Sequence, residues 1–328
     1  MRAIICRRYG PPEVLTLEDV PTPSPGDDGV LVKVRAASVN SWDWGNLCGK
    51  PLLTRMLAGV VRPKHPIPGG DVAGRVEAVG GKVTRFRPGD EVFGDLCASG
   101  WGAFAEYVCA PEAALAHKPP GVTFEQAAAT PQAGVIALQG VRDYGRTQPG
   151  HKVLINGAGG GVGSFAVQLA KSAGAEVTGV DSAMKLDMMR SIGADHVIDY
   201  TREDFTANGR HYDVIIDCEA RRSMRDCARS LSSKGVYIMV GGALTRIPQL
   251  LVLGGWLELT SDRNMVVLAH RPNKDLAHLA ELLAAGTIVP AIDGHYELRD
   301  TPEALRRIGA GTVRGKAVIS IAADHEGA

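Results

Sequence analysis

Along roughly the first 120 residues the apolar positions fall in short runs, among them Gly29–Ala36, Gly70–Val79 and Asp90–Val92. Each run is cut off by turn formers, with Pro25-Gly26, Pro68-Gly69-Gly70 and Pro88-Gly89-Asp90 marking the corners. Short strands punctuated in this way predict an all-β unit. From Thr123 the pattern changes to apolar runs interleaved with helical spacing, which predicts βαβ units around a parallel sheet. Near-continuous apolar runs, as expected of strands covered on both faces, place strands at Lys152–Asn156, Glu176–Asp181, His196–Ile198, Asp213–Asp217 and Gly235–Val240. Trp256–Thr260 supplies a sixth. Between the first two strands, Val162, Phe165, Ala166, Leu169, Ala170 and Ala173 line one face of a helix, and Gly174 stands where it should stop. Asn273–Ala285 reads as another amphipathic helix ended by Gly286, after which strand character returns from about Val289, with a strand at Lys316–Ile321.

A chain of 328 residues suits two domains. The pattern assigns residues 1–122 to the first, completed by about 289–328, and residues 123–288 to the second. Basic and acidic residues balance at 36 each, so no net charge draws the chain to nucleic acid or anionic lipid. Aromatic residues at 5% leave few platforms for stacking bases, and nucleic acid is excluded as the expected partner. The most apolar late stretch, Leu250–Leu259, is broken by Glu258 and falls short of a membrane span, and Met1–Pro12 lacks the apolar core of a signal peptide. The expectation is a cytoplasmic chain with no membrane span. Six cysteines, Cys6, Cys48, Cys97, Cys109, Cys218 and Cys227, show no zinc spacing and read as reduced thiols.

The sharpest chemical signal is Asn156-Gly157-Ala158-Gly159-Gly160-Gly161-Val162-Gly163, which follows one strand and opens one helix. A helix start offers unpaired N–H groups and partial positive charge to a pyrophosphate. Gly157 permits the tight turn, Gly160 lets backbone meet phosphate and Gly163 lets helix press on strand, while Gly161 and Val162 supply first-turn N–H groups. Asp181, at the end of the next strand, suits the ribose hydroxyls of NADH and opposes the 2′-phosphate of NADPH. Ser182, Lys185 and Tyr200 follow and suit that phosphate instead, so the choice between the two cofactors stays open.

Several motifs in order extend this reading: Arg35–Asn40, Pro68–Gly74, Arg87–Val92, Gly102–Tyr107, Gly193–Tyr200 and Arg314-Gly315-Lys316. With the glycine loop they make the chain resemble the medium-chain dehydrogenase/reductase superfamily, and within it the zinc-independent quinone oxidoreductases related to zeta-crystallin. The resemblance spans Met1 to Ile321. It implies an α/β protein: an N-terminal GroES-like β-barrel domain plus a Rossmann domain with a doubly wound parallel sheet. It further implies that Asn40 and Asp43 stand at the nicotinamide end, Asn40 orienting the nicotinamide ribose or the substrate oxygen and Asp43 orienting that loop, or that the pair merely satisfies turn backbone. Gly241 and Gly242 are implied to meet the carboxamide; Lys316 either reaches the cofactor or lies on an exposed strand. Trp42 and Trp44 are read as walls of a ring pocket or as plain packing, and His65 as a proton donor or a surface residue.

Zinc-dependent relatives carry Cys where this chain has Asn40 and a His-Glu pair where it has Gly70-Asp71, so no zinc is expected. Without a Lewis acid, a quinone or α,β-unsaturated carbonyl is the fitting small-molecule substrate, because it spreads developing charge over its own conjugated system. The expected activity is therefore hydride transfer from NADPH or NADH to such an acceptor. Two alternatives are an alcohol or aldehyde dehydrogenase and a non-catalytic dinucleotide-binding sensor or structural protein. A homodimer is implied by resemblance alone.

Overall fold

A computed structural model describes residues 1–50, 55–56, 59–242 and 244–321. The contacts divide the chain into two units, one formed by Met1–Val135, Pro272–Gly286 and the segment from Ile292 on, the other by Ile136–Arg271 and Thr287–Ala291.

In the first unit β1 (Arg2–Cys6) and β2 (Leu15–Asp19) form an antiparallel pair. Next come β3 (Gly29–Val39), β4 (Asp71–Val79), β5 (Glu91–Asp95), β6 (Tyr107–Pro111) and β7 (Leu115–His117). The apolar runs that the turn formers delimit are these strands, and the turns carry left-handed glycines such as Gly69 and Gly89.

The second unit is a six-stranded sheet built from β8 (Lys152–Asn156), β9 (Glu176–Asp181), β10 (His196–Asp199), β11 (Tyr212–Asp217), β12 (Leu231–Met239) and β13 (Asn264–Val267). All pairs are parallel, in the order β10-β9-β8-β11-β12-β13. This is the doubly wound order whose direction reverses between the first and fourth strands. Val153, Leu154, Ile155, Ile215 and Ile216 are buried, as strands covered on both faces require. The helix Gly161–Ser172 follows β8, and Gly174 after it adopts positive φ.

Trp256–Thr260 is not a strand. It forms the last part of a helix, Ile247–Thr260, and the sixth strand lies just beyond it at Asn264–Val267. A short apolar run has no periodicity that tells strand from helix. Pro248, within the first turn of the helix, fits a helix start, and Leu250, Gly254 and Leu257 turn inward.

The chain returns to the first unit earlier than the sequence pattern suggests, at Pro272 instead of about residue 289. Asn273 bonds both backbone groups of Asp95, and a Cβ at Gly134 would lie 3.3 Å from Leu279 of the helix Leu276–Ala284. These contacts tie an amphipathic helix to the β unit, which helical spacing alone does not reveal. β14 (Ile292–Glu297) and β15 (Lys316–Ser320) then complete a seven-stranded sheet with the path β14-β15-β3-β4-β5-β7, β6 pairing with β3. Residues 322–328 of the expected completion lie outside the described residues. Among the described residues, no helix is long and apolar enough to cross a membrane.

Candidate active site

The glycine loop sits where the parallel sheet reverses direction. Asn156 and Asp217 end the two central strands, and the Asn156 amide donates to Asp217 at 2.8 Å. Tyr237 donates to the other Asp217 oxygen, and the backbone N–H groups of Glu219 and Ala220 donate to the first. A buried carboxylate satisfied in this way fixes the C-terminal rim of the sheet.

Gly157 takes φ of 84°, and its N–H and that of Ala158 both donate to the Val180 carbonyl, which binds the loop to β9. Gly160 is the N-cap residue of the Gly161–Ser172 helix and brings no side chain to the helix start. The first-turn N–H groups of Gly161, Val162 and Gly163 have no partners within the helix itself. A Cβ on Gly160 would meet only the Gly157 carbonyl at 3.3 Å, so this position is open. The third glycine has a different reason from the one expected. A Cβ on Gly163 would strike the Gly157 carbonyl at 2.1 Å and the Ala158 Cα at 2.6 Å, so helix presses on loop and not on strand. Gly159 is an unforeseen member: a Cβ there would meet the Lys185 side chain at 2.6 Å. The cradle therefore fits a pyrophosphate: the helix start is uncapped, and among the described residues no side chain lies within 4 Å of a Cβ on Gly160.

Asp181 is engaged with the protein itself. Its Oδ2 accepts the Gly159 N–H at 3.0 Å, its Oδ1 accepts the Ser182 N–H at 2.8 Å, and the Lys185 ammonium lies 3.5 Å from Oδ1. Lys185 is buried, not a solvated surface charge. The Tyr200 ring is exposed and its N–H donates to the Asp181 carbonyl. Asp181, Ser182, Lys185 and Tyr200 thus surround one corner beside the loop. Gly241 and Gly242 follow β12; Gly242 takes positive φ, and a Cβ there would also collide with the Glu219 carbonyl at 1.9 Å.

A second polar group of residues lies inside the β unit. Asn40 precedes the helix Ser41–Cys48, and its N–H donates to Asp43 at 2.7 Å, one arm of a capping box. Its amide donates to Asp71 at 2.9 Å, while Lys316 donates to its Oδ1 and stands 3.4 Å from Asp71. Ser38 and the Gln132 N–H also donate to Asp71. Lys316 is only 1% exposed, which removes the exposed-strand reading and makes it the internal counter-charge of Asp71. Asp95 lies nearby with Cys97, whose sulfur accepts from Gln132. Burial pushes the Asp43 carboxyl up to about 7 and, with the Asp71 charge, Asp95 to about 6. Asp95 and Gln132 escaped the sequence reading because nothing in their spacing marks them; the fold alone brings them to Asp71.

Trp44 packs under Gly309, where a Cβ would lie 2.4 Å from its ring, so it is core packing; Trp42 is half exposed. His65 is half-buried and lines a groove of the β unit with Ile5, Val20 and Ile67.

A zinc ion does not fit the β-unit cluster. Asn40 offers an amide oxygen where a thiolate would serve, the Lys316 ammonium already occupies the space between Asn40 and Asp71, and burial pushes the Cys97 thiol far from ionisation.

Comparison with known proteins agrees with this architecture. Residues 26–120 match the family described as alcohol dehydrogenase GroES-like domain, and residues 192–319 that described as zinc-binding dehydrogenase. A chloroplastic quinone oxidoreductase of Triphysaria versicolor is 33% identical over 97% of this chain and 98% of its own. The 2-methylene-furan-3-one reductase of Solanum lycopersicum is 32% identical over 97% of this chain and 79% of its own. The solved quinone oxidoreductase of Coxiella burnetii superposes with a TM-score of 0.87 at 30% identity, covering 98% of this chain and 99% of that one. The chain belongs to the medium-chain dehydrogenase/reductase superfamily, among the relatives of the quinone oxidoreductases. Its β unit is the GroES-like domain and its parallel sheet the Rossmann-type domain of that fold.

Proposed function

We propose that this chain is an NAD(P)H-dependent reductase of quinones or α,β-unsaturated carbonyls that works without zinc. The observation that carries the reading is the open position at Gly160, where an uncapped helix begins and a Cβ would meet no side chain of the described residues within 4 Å. Relatives named for quinone and furanone reduction support the acceptor class.

A bound reduced dinucleotide supplies the hydride. The Gly161, Val162 and Gly163 N–H groups bind the pyrophosphate, and Asp181, through Gly159, holds the loop in the shape that presents them. Ser182, Lys185 and Tyr200 flank the adenosine ribose, and Gly241 and Gly242 meet the carboxamide. Asn40, fixed by Asp43, Asp71 and Lys316, orients the ribose or the acceptor oxygen in a set geometry. With no metal to gather charge, the acceptor's own conjugation spreads it. A cytoplasmic site of action and a homodimer belong to the same proposal.

The test is to mix the protein with NADPH or NADH and a panel of quinones and enones, following loss of reduced-nicotinamide absorbance with and without a chelator. Turnover that survives chelation is expected. Turnover abolished by chelation and restored by zinc would transfer the chain to the metal-dependent dehydrogenases, and tight dinucleotide binding with no turnover would make it a binding protein.

A further inference from the structure

Basic and acidic residues balance over the chain but not along it. From Trp44 to Gly70 there is no acidic residue, while Lys50, Arg55, Arg62 and Lys64 all fall in that stretch. Within it Met56, Val60 and Val61 are 72%, 70% and 85% exposed. A lone apolar side chain in water is ordinary, whereas adjacent exposed valines beside several cations call for a partner.

The backbone draws these positions together. Gly59 takes φ of 115°, and a Cβ there would strike the Arg62 carbonyl and lie 3.0 Å from the Lys64 nitrogen, so the chain doubles back around Val60 and Val61. The Gly59 N–H donates to the Arg55 carbonyl at 2.9 Å, and the Tyr9 hydroxyl donates to the Gly59 carbonyl at 2.5 Å. Arg55 in turn donates to the Gly49 carbonyl at 3.0 Å and lies 4.6 Å from the centre of the Tyr9 ring. One knot therefore carries the two valines at its turn, Arg62 and Lys64 just after it, and Arg8 and Lys50, the chain neighbours of Tyr9 and Gly49, beside it. Arg55 is committed to the knot itself. Arg8, Lys50, Arg62 and Lys64 are exposed, and among the described residues none of them has a carboxylate partner.

We propose that this knot is a docking site for an anionic lipid surface: Met56, Val60 and Val61 enter the boundary between headgroups and acyl chains, and the four exposed cations lie against lipid phosphates. Charge complementarity names the partner. A carboxylate-free basic rim around exposed apolar side chains matches a surface that is anionic outside and apolar beneath. A second copy of the chain, docked through the same patch, would set cation against cation. Each basic residue near an anionic membrane strengthens binding about fivefold, and the attraction fades over about 10 Å in 0.1 M salt. Attachment is therefore weak, reversible and sensitive to salt, and it requires no particular reaction at the active site.

The test is sedimentation of the full chain with vesicles of phosphatidylcholine alone and of phosphatidylcholine with about 30% phosphatidylserine. The wild type is expected to bind the anionic vesicles on the order of tenfold more strongly than the neutral ones, and to come off them in about 0.5 M salt. Arg62→Gln with Lys64→Gln should weaken that binding on the order of tenfold, and Val60→Ser with Val61→Ser about three- to tenfold, with melting temperatures unchanged. Lys82→Gln with Arg87→Gln removes the same charge beyond the opposite end of β4 and should leave binding within about twofold. No binding of anionic vesicles in low salt, equal binding of both lipids, or full binding by both patch variants overturns the proposal. Self-association without vesicle binding, abolished by Val60→Ser with Val61→Ser, would overturn it in favour of a second copy.

Discussion

Under the proposed function, single residues set which dinucleotide the cradle prefers. The Lys185 ammonium is matched by Asp181, so removing that carboxylate frees a buried cation at the corner proposed above for the adenosine ribose. Asp181→Ser is expected to raise the ratio of kcat/KM for NADPH over NADH on the order of tenfold, a difference of about 1.4 kcal/mol. An unmoved ratio would show that the corner does not meet the ribose. Gly163→Val forces a side chain into the Gly157 carbonyl, and a loss of about 1–3 kcal/mol of stability, with dinucleotide affinity, should appear in thermal melts and titrations. Asp43 carries a sign of its own. Because its folded pKa, about 7, lies above the unfolded value near 3.8, the native state holds the extra proton between the two. That stabilisation is present at low pH and is lost as pH rises from about 4 towards 7. Asp43→Asn should therefore flatten the pH dependence of Tm in that window, and an unchanged slope would assign it to other groups. At this scale the place of the glycine loop between strand and helix, and of Asp181 at the end of the next strand, was legible because the spacing of a strand–loop–helix unit is fixed. The links from Asp71 to Gln132 and Lys316 were not, because their partners lie up to 245 residues apart.

At the scale of elements, the misread segment teaches most. Ile247–Thr260 is apolar on nearly every side: Leu250 and Leu257 are buried, while Leu251, Val252, Trp256 and Leu259 are exposed. Such a sequence gives neither the alternation of a strand nor a one-sided helix stripe, so periodicity has nothing to grip. The other parallel strands were readable because burial on both faces demands continuous Val, Ile and Leu. The helical assignment makes a paired expectation. Leu250→Ala should cost about 2–5 kcal/mol in denaturant unfolding, whereas Leu259→Ala should stay within about 0.5 kcal/mol. Equal costs would contradict the inward and outward faces assigned here.

For the molecule as a whole, the class of fold was visible in the change of rhythm near Thr123, from turn-cut strands to helical spacing. The return point was hidden, because the helix Leu276–Ala284 has the amphipathic look of a Rossmann helix and joins the β unit through contacts only. That return has a cost in time. Ala36–Val39 of β3 pair with Ala317–Ser320 of β15, and the whole Rossmann unit is spelled out between them. A ribosome must therefore release the inserted unit before the edge of β3 at Ala36–Val39 has its neighbour. Throughout that interval a naked ladder of amides and carbonyls stays open to any passing strand.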